Sequence, residues 1–99
     1  MSKRTSRQQT KHDRTVKRSA KSYQSKGYRV RADITGFKQP GLIGGRRPDV
    51  VAQKGKKVVI VEVETKDTME NVHDLQQRNI FRKHERINKN VSFRLKKAK

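Results

Sequence analysis

The sequence predicts an α/β (α+β) fold in the order helix, strand, strand, strand, helix, strand, with a mixed central sheet flanked by helices. Three observations carry this. Apolar residues recur at helical spacing in two stretches and alternate at strand spacing in others. Residues 28–63 hold 15 of the 29 apolar residues, and Val dominates them. A glycine-centred turn joins two of the Val-rich segments as a hairpin.

Residues 1–11 are basic and polar without periodicity and read as a flexible tail. From about Asp13, Val16, Ala20 and Tyr23 form one helical stripe. Gly27 follows where a helix end wants a left-handed residue. Tyr28, Val30, Ala32 and Ile34 alternate with Arg29, Arg31 and Asp33, a strand with one polar face on which Asp33 is expected to pair with an Arg. Residues 36–45 contain four Gly and one Pro and read as a loop. Phe37, Leu42 and Ile43 are expected to fold back from it onto the core.

Pro48 marks the start of a second strand over 49–53, and Lys54-Gly55-Lys56 turns the chain into a third over 57–65. The Val58–Val61 run is apolar on both faces, which places this strand centrally. Asp67 is the expected cap of the second helix, with Glu70 completing a capping box. Met69, Val72, Leu75, Ile80 and Ile87 fall broadly on one face of it, and it is expected to end near Asn88 or Asn90. Val91, Phe93 and Leu95 alternate as a last strand, and residues 96–99 read as a basic tail. Residues 12–95 thus form a single expected domain.

The chain has 27 Lys and Arg against 9 Asp and Glu, a formal net charge of +18. Residues 1–31 alone contain 11 basic residues and one acid. Such a field points to a polyanion, nucleic acid ahead of an anionic membrane. The membrane reading needs large apolar residues opposite the charges. The N-terminal third has only Val16, Ala20 and Tyr23 there. Without cysteine there are no disulfides, thiolate zinc sites or Cys nucleophiles, and a cytoplasmic setting, prokaryotic or viral, is expected. No apolar run approaches the ~20 residues of a membrane span. His12, His73 and His84 show no metal-ligand spacing, so no zinc site is expected. No phosphate-binding P-loop pattern is present.

The acids are scarce enough to locate. Glu62 and Glu64 are two apart on the central strand and share a face. Counting back through the Gly55 turn sets Asp49 beside them. Clustered carboxylates repel one another and are costly to desolvate unless something positive lies between. A hard divalent cation, Mg²⁺ or Mn²⁺, suits such a set. The plainer reading puts Glu62 and Glu64 on a solvated face, paired with Arg46, Arg47 or Lys66.

Pro48-Asp49, twelve residues, then Glu62-Val63-Glu64 resembles the signature of the PD-(D/E)xK nuclease superfamily, the restriction-endonuclease-like fold. The resemblance covers about residues 12–95 and extends to small prokaryotic proteins with a similar Pro-Asp…Val-Glu-Val-Glu pattern. It implies that Asp49 and Glu62 are metal-binding carboxylates. Glu64 stands where the pattern usually has Lys, as in a few members that still cleave DNA. There it would position or deprotonate the attacking water, or bind metal. Some members take a further carboxylate from the first helix, for which this chain offers Asp13. Several branches place a Gln of the second helix at the active site. Gln76 and Gln77 are both candidates, and Gln77 is preferred for its row with His73 and Phe81.

The resemblance implies a Mg²⁺- or Mn²⁺-dependent endonuclease acting on DNA, with RNA as the second polyanion. Lys17, Arg18, Lys21, Arg29, Arg31, Arg46 and Arg47 are the candidate phosphate contacts. Glycines 41, 44 and 45 before the two loop arginines would let the backbone approach a phosphate, or form a plain turn. A homodimer is one arrangement for cutting both strands. A binding protein without catalysis and a subunit of a larger nuclease or repair assembly are the rival readings.

Overall fold

The computed structural model describes residues 6–65 and 72–98. Its first helix, α1 (Ser6–Ser25), begins earlier than the stripe suggests. Residues 6–11, read above as part of a tail, are its opening turns. They are largely helix formers, and Gln9 donates to Asp13 at 2.8 Å across one turn, a local bond that needs no apolar face. The far end closes in a Schellman motif. Gly27 has φ 89°, its N–H reaches the Gln24 carbonyl, and the Tyr28 N–H reaches the Tyr23 carbonyl at 3.1 Å. The Tyr23 and Tyr28 rings meet edge to face over that cap, 5.2 Å apart.

The strands are β1 (Arg29–Ala32), β2 (Val50–Lys54), β3 (Lys57–Glu64) and, after the helix α2 (Val72–Ile87), β4 (Val91–Lys97). They lie side by side in chain order. β1, β2 and β3 are antiparallel neighbours, and β4 runs parallel to β3. The sheet is therefore mixed, the element order is the expected one, and the Val-rich β3 is an inner strand. The hairpin turns on Gly55, whose φ of 59° suits the first central position of a two-residue II′ turn. Lys96 and Lys97, expected in the tail, instead extend β4 by pairing with Val63 and Glu64. The long neighbouring strand offers them rungs that solvent would otherwise take.

The two sheet faces hold separate cores. On one face, Val16 and Ala20 of α1 pack with Ala32, Val50, Ala52, Val59, Val61 and Val63. On the other, Ile60, Phe81 and Phe93 pack together, with the two phenyl rings 6.0 Å apart. Each large side chain so buried contributes about 1.5–3 kcal/mol. Glu85 of α2 accepts the Phe93 N–H at 2.8 Å, which satisfies one outward-facing donor of the edge strand β4.

The buried side of α2 differs from the expected stripe. Leu75 and Ile87 are exposed, and Phe81 is the fully buried anchor, with Arg78 buried beside it. The helix is rotated so that its inner row carries polar groups towards the sheet's end, and apolar spacing cannot report such a row. Phe37 and Ile43 fold back as expected, whereas Leu42 is exposed. Ile80 is seated against Gly44, where any Cβ would collide with it. Asp33 accepts the Gln39 amide at 2.9 Å, where an Arg partner was expected. The expected cap and first turn, Asp67, Met69 and Glu70, lie outside the described residues. No described helix is long and apolar enough to cross a membrane.

Candidate active site

The site forms where β2 begins and β3 ends. Pro48 is fully buried and has no N–H, so the strand cannot pair through it. The β2–β3 register stops at Val50 opposite Val61. Beyond that pair, side chains replace the rungs. Asp49 Oδ2 accepts the Val63 N–H at 2.8 Å, and Glu62 Oε1 accepts the Asp49 N–H at 3.3 Å. Each carboxylate thus bonds the other strand's backbone. The Asp49 carbonyl still accepts the Asp33 N–H at 2.9 Å, which ties the arrangement to the end of β1.

α2 adds Gln77, whose amide donates to Glu62 Oε1 at 3.1 Å. Gln76, its neighbour, is exposed. Gln77 stands one turn before Phe81, the residue that sets the inner row of the helix. Glu64 lies on the same face of β3 as Glu62, is buried, and pairs in register with Lys97.

Glu62 is 3% exposed. Its pKa is raised to about 10, first by burial, then by the Asp49 charge and the hydrogen bond with Asp49, and least by Glu64; the Gln77 amide opposes the shift. Burial beside Asp49 thus favours the protonated form of Glu62, and a bound cation would take that proton's place. Among the described residues, no three His, Asp or Glu side chains form a ligand group by themselves. The carboxylates are available as a pair. That fits a hard divalent cation, which keeps several waters and completes its shell with phosphate oxygens. It does not fit a closed tetrahedral zinc cage.

α1 contributes a residue that spacing missed. His12 is 5% exposed, and its Nε2 stands 3.3 Å from Asp49 Oδ1. Its Nδ1 stands 3.1 Å from Oδ1 of Asp13, which is half-exposed. Asp13, the expected carboxylate of this helix, thus meets the site through the imidazole. A signal for His12 was present. It lies four residues before Val16, so the stripe continued back by one turn places it on the buried face. A search for His-to-His spacing could not detect it.

The candidate phosphate contacts are not gathered on one surface. Lys17, Arg18 and Lys21 are exposed on α1. Arg29 and Arg31 are exposed on β1 and alternate with Val30 and Ala32, which pack towards α1, so they project from the opposite face of the sheet. Arg46 and Arg47 are half-buried just before Asp49, and the Arg47 guanidinium donates to the Pro40 carbonyl. Arg46 and Arg47 adjoin Asp49 in the chain, Arg29 and Arg31 share a sheet face with Glu62 and Glu64, and the α1 residues lie on the other side.

No curated protein matches the chain. A family model described as REase_AHJR-like matches residues 1–95, which takes in both helices, the β2–β3 hairpin and most of β4. With the mixed sheet, the crossover helix and the paired carboxylates at the strand ends in view, the chain belongs to this restriction endonuclease-like family.

Proposed function

We propose that this protein is a Mg²⁺- or Mn²⁺-dependent DNA endonuclease that hydrolyses phosphodiester bonds. The observation that carries the reading is the exchange between strands: Asp49 and Glu62 each bond the other strand's backbone, and Gln77 holds Glu62 from the facing helix. Carboxylates held this way on strands have little freedom to wander. Asp49 and Glu62 would hold the cation. When bound, the cation lowers the pKa of a water and neutralises charge on the scissile phosphate. Gln77 would hold the Glu62 carboxyl in place for the cation, and Glu64 would accept a proton from the attacking water or orient it. Arg46 and Arg47 receive the phosphate beside the site, and the other basic residues hold the flanking backbone.

The test uses plasmid, linear, branched and single-stranded DNA with Mg²⁺, with Mn²⁺ and with EDTA. Metal-dependent cleavage lost in Asp49→Ala is the expected result. No cleavage of any substrate, or cleavage unchanged in that variant, rejects it.

One observation favours a second reading, binding without catalysis. Glu64 replaces the cationic residue of the usual pattern, and the net charge of +18 needs no active site to hold DNA. That reading predicts DNA affinity that falls steeply with salt and does not respond to metal.

A further inference from the structure

We propose that the uncovered half of the sheet face opposite α1 is the track along which a DNA duplex leaves the candidate active site, with Arg31 and then Arg29 holding its phosphates. This rests on the reading of DNA as the partner and deepens it by choosing the face.

The register lays the track out row by row. Arg31, Val51, Ile60 and Phe93 stand side by side across the sheet, and Arg29, Gln53, Val58 and Val91 form the next row. Along the first row burial falls away. Ile60 and Phe93 pack under Phe81 of α2, Val51 is half-buried, and Arg31 is exposed. In the second row Arg29 and Gln53 are exposed. Among the described residues, α2 thus roofs the β3–β4 half of this face and leaves the β1–β2 half open. The other face has no such opening, because α1 packs there against β1, β2 and β3.

The open strip leads to the carboxylates. Glu62 lies two residues beyond Ile60 on the same face, so Arg31 stands one row step back from it along the sheet, about 6.7 Å, and Arg29 two. Across the sheet, β1 and β3 are about 10 Å apart. A duplex carries a negative charge about every 1.7 Å of its axis, so each row meets a phosphate. At the far end, Arg29 and Gln53 line an open cleft with Gly27, Lys54 and Gly55.

The fold makes no electrostatic use of these two charges. Like charges on adjacent rows of one strand repel, and among the described residues neither Arg29 nor Arg31 has an acidic partner. Charged side chains on an edge strand also guard it against pairing with a second sheet. That role needs no DNA, and the experiment separates the two. Arg18 and Lys21 stand on α1, behind the sheet, and add only to the general field.

The experiment measures binding of a labelled DNA duplex by fluorescence anisotropy across a salt series, in EDTA so that no cleavage intervenes. It compares the wild-type full chain, Arg29→Gln/Arg31→Gln and Arg18→Gln/Lys21→Gln. The substituted side chains are exposed, and thermal melts check that each variant is folded. The β1 variant should bind roughly tenfold or more weakly at physiological salt, with the slope of log affinity against log salt reduced by about 2. The α1 variant should lose about threefold or less, with its slope reduced by less than about 1. Wild-type affinity and slope in the β1 variant, or equal losses in the two variants, overturn the track. Aggregation of the β1 variant with DNA affinity unchanged assigns the arginines to edge protection and overturns it too. A wild type that binds duplex RNA through these arginines and not duplex DNA overturns the choice of partner. The metal-dependent reading fails separately, on cleavage that is absent or unchanged in Asp49→Ala.

Discussion

The two ends of the β2–β3 hairpin are built on opposite principles. At the turn end, Lys54 and Lys57 pair in regular register around Gly55. There Lys54 donates to the Lys26 carbonyl at 2.8 Å and lies over the Tyr28 ring. Its charge is exposed, reinforces the end of α1, and costs little. At the other end the register stops, the groups are carboxylates, and Glu62 is driven to a pKa of about 10 by burial beside Asp49. One end secures the fold, and the other holds groups whose charged forms are unfavourable there. A pair of strands can keep both because their rigidity is shared while their electrostatics are local.

The largest break in this contrast is Asp49→Ala. It removes a carboxylate that also bonds the Val63 N–H, and metal-dependent cleavage should fall by at least about 10³ in single-turnover assays, since metal stabilisation of the transition state amounts to several kcal/mol. Glu62→Gln should give opposite signs for function and stability. The folded pKa of Glu62, about 10, lies above the ordinary 4.5, so the native state binds this proton more tightly than the unfolded chain. Its contribution to stability is full below pH 4.5 and is lost progressively as pH rises towards 10. The amide needs no such proton. In EDTA at pH 8, Glu62→Gln should raise Tm by roughly 4–8 °C, about 1 kcal/mol, while melts with added Mg²⁺ and no EDTA should show a weaker Mg²⁺ response than wild type.

Changes at the turn end should leave the site alone. Gly55→Ala meets no neighbouring atom but must hold φ 59°, a strain of about 1–2 kcal/mol seen as a lower denaturation midpoint with the metal response unchanged. Lys54→Ala should cost least, about 0.5–1 kcal/mol through the lost ring and carbonyl contacts, with cleavage at the wild-type rate. A metal response that follows Lys54 or Gly55 would show that the two ends are not independent.

Particular residues show what a sequence can reveal here. Asp49 and Glu62 were placed side by side by counting through a tight turn, because an antiparallel hairpin has a register that local chemistry sets. Gln77 separated from Gln76 through its row with Phe81, since residues four apart on a helix share a side. His12 was missed because its partner, Asp49, is 37 positions away and no short-range spacing links them. Leu75 and Ile87 were placed inward for a related reason. Apolar periodicity assumes that a helix buries its apolar row, and α2 turns a partly polar row towards the site.

The sequence by itself determined the element order, the hairpin register and an excess of base around a few acids. These depend on local propensity, turn chemistry and composition. Only the tertiary structure decided which face each helix presents, how the basic residues divide between the sheet's two faces, and that α1 delivers His12 to Asp49. Those outcomes follow from packing elements distant in the chain, where burial and electrostatics choose among arrangements that local pattern leaves equal.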